Sequence, residues 1–169
     1  MNIIKTQRLI IRNTKIEDIE DLYKQVFSND EVVKYTFGKE LSSFDDVKDF
    51  VEKNCNFDKK LGLSTLVEKD SSKVIGLAGV IECNYLDSVD YEFGFILGSD
   101  FWGKGYASEI GQAQIDYVKN EIKAKRVLAL AHKENEASVK CINKLGLEYK
   151  TTISTENRGD REVFSLDFY

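Results

Sequence analysis

Between Val89 and Ile122 the chain runs through three kinds of sequence in a fixed order. A β-rich run, VDYEFGFIL (Val89 to Leu97), leads into a loop with two glycines one residue apart, FWGKGYA (Phe101 to Ala107). An amphipathic stretch follows from Ser108 to about Ile122, with Ile110, Ala113, Gln114, Tyr117 and Val118 on one side. A helix that opens on such a loop presents its first N–H groups unpaired and its macrodipole positive, which makes an anion site. Gly103 and Gly105 let the backbone wrap closely around a phosphate, which side chains would otherwise block. The short β run Arg126 to Ala131 after the helix predicts a right-handed crossover and parallel pairing. There is no Gly-x-x-x-x-Gly-Lys-Ser/Thr, and no third glycine completes Gly-x-Gly-x-x-Gly, so nucleotide hydrolysis and dinucleotide redox are disfavoured.

The remaining segments supply the frame around that loop. RLIIR (Arg8 to Arg12) reads as a strand, and Thr14 with Glu17 as a capping box opening a helix from Ile16 to about Phe27. Ile16, Ile19, Leu22, Tyr23 and Val26 form its buried face. A second helix begins near Ser42 or Ser43, after a loop (Tyr35 to Leu41) with no clear period. Leu63 to Glu68 and Lys73 to Cys83 read as a hairpin joined by Lys69 to Ser72, and Gly94 suggests a bulge or a close backbone approach in the strand around it. Asn135 caps a helix from Glu136 to Lys144, which Gly146 stops. Leu147 to Ser154 and Arg161 to Phe168 are final strands with Glu156 to Asp160 as their turn. The expectation is an α/β (α+β) protein, one domain over residues 1–169, with a mixed sheet of about seven strands and about four helices.

Composition narrows the partners. With 42% hydrophobic and 31% charged residues the chain belongs with globular proteins. No apolar run approaches the roughly 20 residues of a membrane span, and Met1 to Asn13 lacks a signal-peptide core, so a cytoplasmic address is expected. The net charge of -5 gives no basic footprint for nucleic acid. Cys55, Cys83 and Cys141 have neither disulfide-framework nor metal-ligand spacing and read as reduced core residues; no metal is expected. Pro is absent, so Gly, Asn, Asp and Ser make the turns.

Trp102-Gly-Lys-Gly-Tyr-Ala107 resembles the acetyl-CoA loop of the GNAT superfamily, Gln/Arg-x-x-Gly-x-Gly/Ala. Gly105 and Ala107 match, while Trp102 stands where Gln or Arg is usual. FWGKGYASE resembles the RimJ/RimL-type branch, which includes ribosomal-protein N-terminal acetyltransferases. TQRLIIRN (Thr6 to Asn13) is similar to the branch's opening strand, and Asn135-Glu-Ala-Ser138 through Lys144-Leu-Gly-Leu147 to its Asn-x-x-Ser helix. The resemblance implies the GNAT acyl-CoA N-acyltransferase fold and acetyl transfer from acetyl-CoA to a primary amine. The acceptor is a protein N-terminus or, alternatively, a polyamine, aminoglycoside or amino acid; a non-catalytic acetyl-CoA-binding protein is the remaining alternative. A monomer or homodimer is expected, with Leu166 and Phe168 on a pairing edge.

Residue by residue, the resemblance implies that the loop from Trp102 through Gly103, Lys104, Gly105, Tyr106 and Ala107 holds the pyrophosphate, with Ser108 adding a hydroxyl. It implies that Phe95, Ile96 and Leu97 offer backbone groups to pantetheine and that Asn135 bonds it; helix capping is the other reading of Asn135. Glu92 is the implied proton acceptor, against an ordinary salt-bridged strand carboxylate. The tyrosine acid of many relatives is replaced by Ile142, which nominates Ser138 for the hydrogen bond to the departing thiolate, against simple surface polarity. His132 is a weaker base candidate and Cys141 a packing residue. Tyr23, Tyr35, Phe37 and Phe44 are core or acceptor-pocket aromatics, and the loop from Tyr35 to Leu41 is where such enzymes often meet the acceptor.

Overall fold

The computed structural model describes residues 1–37, 41–156 and 158–169. Part of the Tyr35 to Leu41 loop, and Asn157 in the Glu156 to Asp160 turn, therefore lie outside the described residues. The elements are β1 (Asn2–Lys5), β2 (Leu9–Arg12), α1 (Asp18–Leu22), α2 (Asp30–Val33), α3 (Phe44–Asn54), β3 (Ser64–Glu68), β4 (Val74–Cys83), β5 (Asp90–Leu97), α4 (Tyr106–Tyr117), β6 (Arg126–Ala131), α5 (Glu136–Lys144), β7 (Glu148–Thr155) and β8 (Gly159–Asp167). α1 and α4 each run on through a π-helical turn, Tyr23–Phe27 and Val118–Ile122. The strands form one sheet in the order β1-β2-β3-β4-β5-β6-β8-β7. Every pair is antiparallel except β5 with β6, as the crossover predicts.

The eighth strand, β1, and the additional helix, α2, are both four residues long, too short to show a period in sequence. α2 is nonetheless capped: the Asn29 side chain accepts from the Glu31 N–H. β8 lies between β6 and β7, so Leu166 is on an interior strand and Phe168 just past its end; the sheet edges are β1 and β7. Side chains of the sheet meet helices on both faces. Val74, Leu77 and Ile96 pack with Ile19, Leu22, Val26, Val47 and Val51 of the α1 to α3 layer, while Ile75, Ala78 and Leu97 meet Tyr106 and Ile110 of α4. Ile75 and Leu77 are fully buried, each worth about 1.5–3 kcal/mol of apolar transfer.

The capping box does not form. Thr14 is buried beside Thr65, with their hydroxyls 3.0 Å apart, and Glu17 makes no side-chain cap bond. Asp18 takes over the turn: its carboxylate accepts from the Lys15 N–H at 2.8 Å and from both terminal nitrogens of Arg12 at 2.8 and 2.9 Å. Burial pushes the Asp18 carboxyl up, but Arg12, Lys15 and Thr65 outweigh it and hold it below its ordinary value. With Asp18 turned inward, Ile16 projects outward and is 57% exposed, not part of the buried face.

The strand irregularity falls on Gly76, not Gly94. Leu66 pairs with Gly76 but Val67 with Val74, which leaves Ile75 as an extra residue in β4. A Cβ on Gly76 would lie 2.0 Å from the Ile96 carbonyl oxygen, whereas one on Gly94 would meet nothing within 4 Å. β5 itself pairs with β4 in unbroken register. We predict that Gly76→Ala lowers unfolding stability by at least about 2 kcal/mol in urea titration, while Gly94→Ala stays within about 0.5 kcal/mol.

Candidate functional site

β5 and β6 share a single registered pair, Glu92 with Leu128. Beyond it, a small cavity of about 210 Å³ opens, lined from one side by Phe93 to Ile96 and from the other by Ala129 to His132. A cleft of about 530 Å³ joins it and runs along the glycine loop and the start of α4. Tyr35, Thr36, Phe95, Ile96, Asn135 and Ser138 line both. A larger groove of about 790 Å³ runs elsewhere, between β1 and the end of α4, away from the glycine loop.

The loop has the geometry its glycines require. Gly103 and Gly105 have φ of 75° and 80°, and Gly105 is the N-cap of α4 in left-handed conformation with no side chain capping the helix. The first N–H groups of α4 are therefore left to a ligand. Two contacts that are remote in sequence hold the loop. Arg8 donates from Nη1 to the Lys104 carbonyl at 2.8 Å and from Nε to Glu109 Oε2 at 2.7 Å. Glu109 also accepts from Thr6 Oγ1 at 2.7 Å and from the Arg8 N–H at 2.9 Å. Burial pushes Glu109 up, and these donors bring it below its ordinary value, so it stays ionised near neutrality. Trp102 pins the other end: its Nε1 donates to the Leu97 carbonyl at 2.9 Å.

Most of the residues named from sequence converge. Phe95, Ile96, Leu97, Trp102, Gly103 and Gly105 line the cleft, as do Tyr106, Ala107, Ser108, Asn135 and Ser138. Lys104 does not; its carbonyl is turned to Arg8 and its ammonium sits 5.3 Å from the Phe101 ring centroid. The Tyr106 hydroxyl is likewise engaged, donating to Glu68 at 2.5 Å. Asn135 is the N-cap of α5, accepting from the Ser138 N–H at 3.2 Å, and it lines the cleft as well. Cys141 is half-buried and faces the cleft near Ser108, not the core, and burial pushes its thiol up, which disfavours a thiolate nucleophile. Cys55 and Cys83 are also only partly buried.

Glu92 lines the small cavity with its Oε2 sealed from solvent and, among the described residues, unpartnered. Burial pushes its carboxyl up, while the nearby Tyr85 hydroxyl and Arg158 charge offset part of that rise. His132 stacks 5.1 Å from Tyr35, and its Nδ1 accepts from the Glu134 N–H at 3.1 Å. Its Nδ1 is thus engaged by the backbone at the start of the turn into α5. Of the four aromatics, Tyr35 and Phe37 line the small cavity, while Tyr23 and Phe44 stack on each other. Sequence reasoning missed Lys34 and Thr36 after α2, and Arg158 and Arg161 of the β7–β8 end. Asn29 was the available signal for α2, and its side chain ties that helix to Ser99 at 2.8 Å. Among the described residues no cluster of three or more His, Cys, Asp or Glu side chains is placed to hold a metal, and no helix is long and apolar enough to cross a membrane.

Residues 8–148, which include the glycine loop and the strand pair that parts after one residue, match the model of an acetyltransferase (GNAT) domain. The chain belongs to the GNAT acetyltransferase family. An uncharacterised N-acetyltransferase, p20 of Bacillus licheniformis, is 30% identical over 88% of this chain and 83% of its own. Spermidine N(1)-acetyltransferase of Escherichia coli K12 is 25% identical over 86% of this chain and 76% of its own. A GNAT-family acetyltransferase from Bacillus anthracis superposes with a TM-score of 0.78 at 24% identity, over 99% and 98% of the two chains. The protein is thus an acetyl-CoA-dependent N-acetyltransferase.

Arg8 touches no cleft surface, yet it fixes the carbonyl that would otherwise compete with the amides for direction. Arg8→Gln is expected to weaken acetyl-CoA binding about fivefold in calorimetry, the scale of one half-exposed charged hydrogen bond. Gly105→Glu, which forces a side chain into φ of 80° and adds a charge at the cradle, is expected to abolish binding.

Proposed function

We propose that the enzyme transfers acetyl to a primary amine by direct attack in a ternary complex, with acetyl-CoA in the cleft and the amine in the small cavity. The observation that carries this reading is Glu92: a carboxylate with one sealed, unpartnered oxygen, in the cavity that shares a wall with the cosubstrate cleft. A general base needs a site of this kind, since the acceptor arrives as an ammonium and attacks only as an amine. The nitrogen forms a bond to the thioester carbon, the C–S bond breaks, and the proton lost by nitrogen passes to Glu92 through water. Ser138, on the shared wall, hydrogen-bonds the departing sulfur. Asn135 and the backbone of Phe95 and Ile96 hold pantetheine; Leu97 contributes less, because Trp102 already occupies its carbonyl. The amides from Gly103 to Ala107 and the Ser108 hydroxyl take the pyrophosphate. The partially buried, free cysteines fit a reducing cytoplasmic setting.

The RimJ/RimL-type motifs support a protein N-terminus as acceptor. The spermidine acetyltransferase among the relatives supports a polyamine as the second reading. A CoA-release assay with N-terminal peptides, polyamines, aminoglycosides and amino acids as separate pools tests the function; acetyl-CoA binding with no turnover in any pool would point to a non-catalytic role.

Glu92→Gln is expected to lower kcat about 100-fold with acetyl-CoA affinity retained. The wild-type rate rises with pH through a limb above the ordinary carboxylate range, which the variant lacks. Stability moves the other way. Because the folded state raises the Glu92 pKa, folding favours the protonated form, and stability is lost as pH rises through that raised value. Glu92→Gln should therefore melt at a higher temperature than wild type at pH 7.5, a gain that disappears near pH 4.

A further inference from the structure

The small cavity carries charge of both signs, and among the described residues its arginines form no ion pair within it: Glu92 feels the Arg158 charge but is not in salt-bridge contact with it. Arg161 is only 6% exposed. Its guanidinium donates to the carbonyls of Arg158, Asp160 and Tyr35, the last two at 2.9 Å. These bonds satisfy N–H groups without supplying negative charge. Among the described residues no carboxylate forms an ion pair with Arg161 or with its exposed neighbour Arg158. The three other arginines with described partners, Arg8, Arg12 and Arg126, all meet carboxylates. Burial and the adjacent Arg158 both disfavour the Arg161 charge. A buried cation in this state is stabilised when an anion is brought to it. Both arginines line the cavity that also holds Glu92.

We propose that the acceptor is an amine that also carries a carboxylate, its nitrogen at Glu92 and its carboxylate at Arg158 and Arg161. This rests on the proposed acetyl transfer and names the acceptor's chemistry. At about 210 Å³ the cavity admits an amino-acid-sized head group, below the usual range for a whole ligand of about 300–1,000 Å³. A polyamine would bring a second ammonium toward two arginines, where like charges repel. The same chemistry is offered by a free amino acid or by a peptide whose first residues include Asp or Glu.

The test compares kcat/KM, per unprotonated amine, for free amino acids against their amides, for N-terminal peptides with Asp or Glu against Asn or Gln, and for spermidine. Carboxylate-bearing acceptors should lead their amides by about tenfold or more, the worth of one charge-assisted pair; which pair of acceptors shows the lead identifies the source. Arg158→Gln should shrink that ratio mainly through KM, and Arg158→Glu should turn preference toward spermidine. Arg161→Lys, which keeps the charge, should retain the ratio, with thermal melting recorded for each variant. Equal use of amides or spermidine by wild type overturns the inference, as does an Arg158→Gln effect of the same size on every acceptor. Absence of both turnover and calorimetric binding for all carboxylate-bearing amines also overturns it. Acetyl-CoA calorimetry on the same preparation separates the two levels. Binding and turnover without charge preference leave the proposed transfer standing, while failure to bind acetyl-CoA removes both.

Discussion

The parting of β5 from β6 after Glu92 and Leu128 is the constraint on which the site depends. Two parallel strands that stayed paired would satisfy each other's backbone and close the sheet. Here the strands separate, and the space between them becomes the cavity on one side and the head of the cleft on the other. Backbone groups along the gap need partners, because buried N–H and C=O groups left unpaired are costly. α4 supplies one, as Gln114 Nε2 donates to the Gly94 carbonyl at 3.1 Å. Trp102 supplies another at Leu97. What is left over is the surface that the proposed reading gives to pantetheine. Gly94 then makes sense as an opening: no protein atom lies where its Cβ would be, and a side chain there would enter the cavity.

The same region holds charge less conventionally than the rest of the fold. Glu92 and Arg161 are the kind of group a protein interior rejects, one an anion with an unpartnered oxygen and the other a cation bonded only to carbonyls. Elsewhere the chain handles buried charge conventionally. Asp18 is locked by Arg12 and the Lys15 N–H, and Asp90 takes both Nε and Nη2 of Arg126 at 2.8 and 2.9 Å. The contrast matters because it shows that the fold can pair its charges and does so away from the cavity. Local conflicts of this sort collect at functional sites.

Much of this was legible in local sequence. The glycine loop, the helix it opens, the parallel crossover and the Asn135 cap each follow from neighbours a few residues apart, where spacing carries the physics. Glu92 was legible only as a position. Its buried, unpartnered state depends on how β4, β5 and β6 meet, which no local pattern encodes. The Thr14–Glu17 capping box failed for a related reason. The tertiary pair of Arg12 with Asp18 competes with a local cap and wins, because a buried carboxylate with three donors outweighs one exposed hydrogen bond. The bulge at Ile75–Gly76 was hidden because Gly76 and Gly94 look alike in sequence, and only the approach of Ile96 separates them. Arg158 and Arg161 sit at a turn, where arginine usually means solvent.

The two anchors of the loop explain why its direction is so well defined despite the absence of any side-chain cap. Arg8 belongs to the turn between β1 and β2, and Trp102 to the exit of β5, so the glycine segment is held from the first strands and from the splayed strand at once. Arg8 lies over the Tyr106 ring as well, 4.5 Å from its centroid, and Tyr106 in turn reaches Glu68 at the end of β3. The position of the glycine loop is therefore a property of the whole β1 to β5 half of the sheet. The β6 to β8 half carries Arg158 and Arg161, which line the small cavity. On the proposed reading, a cosubstrate held by one half and an acceptor read by the other would meet across the gap between β5 and β6, where Glu92 stands. In that reading the split of the sheet would bring the two substrates together and would let one carboxylate serve the reaction between them.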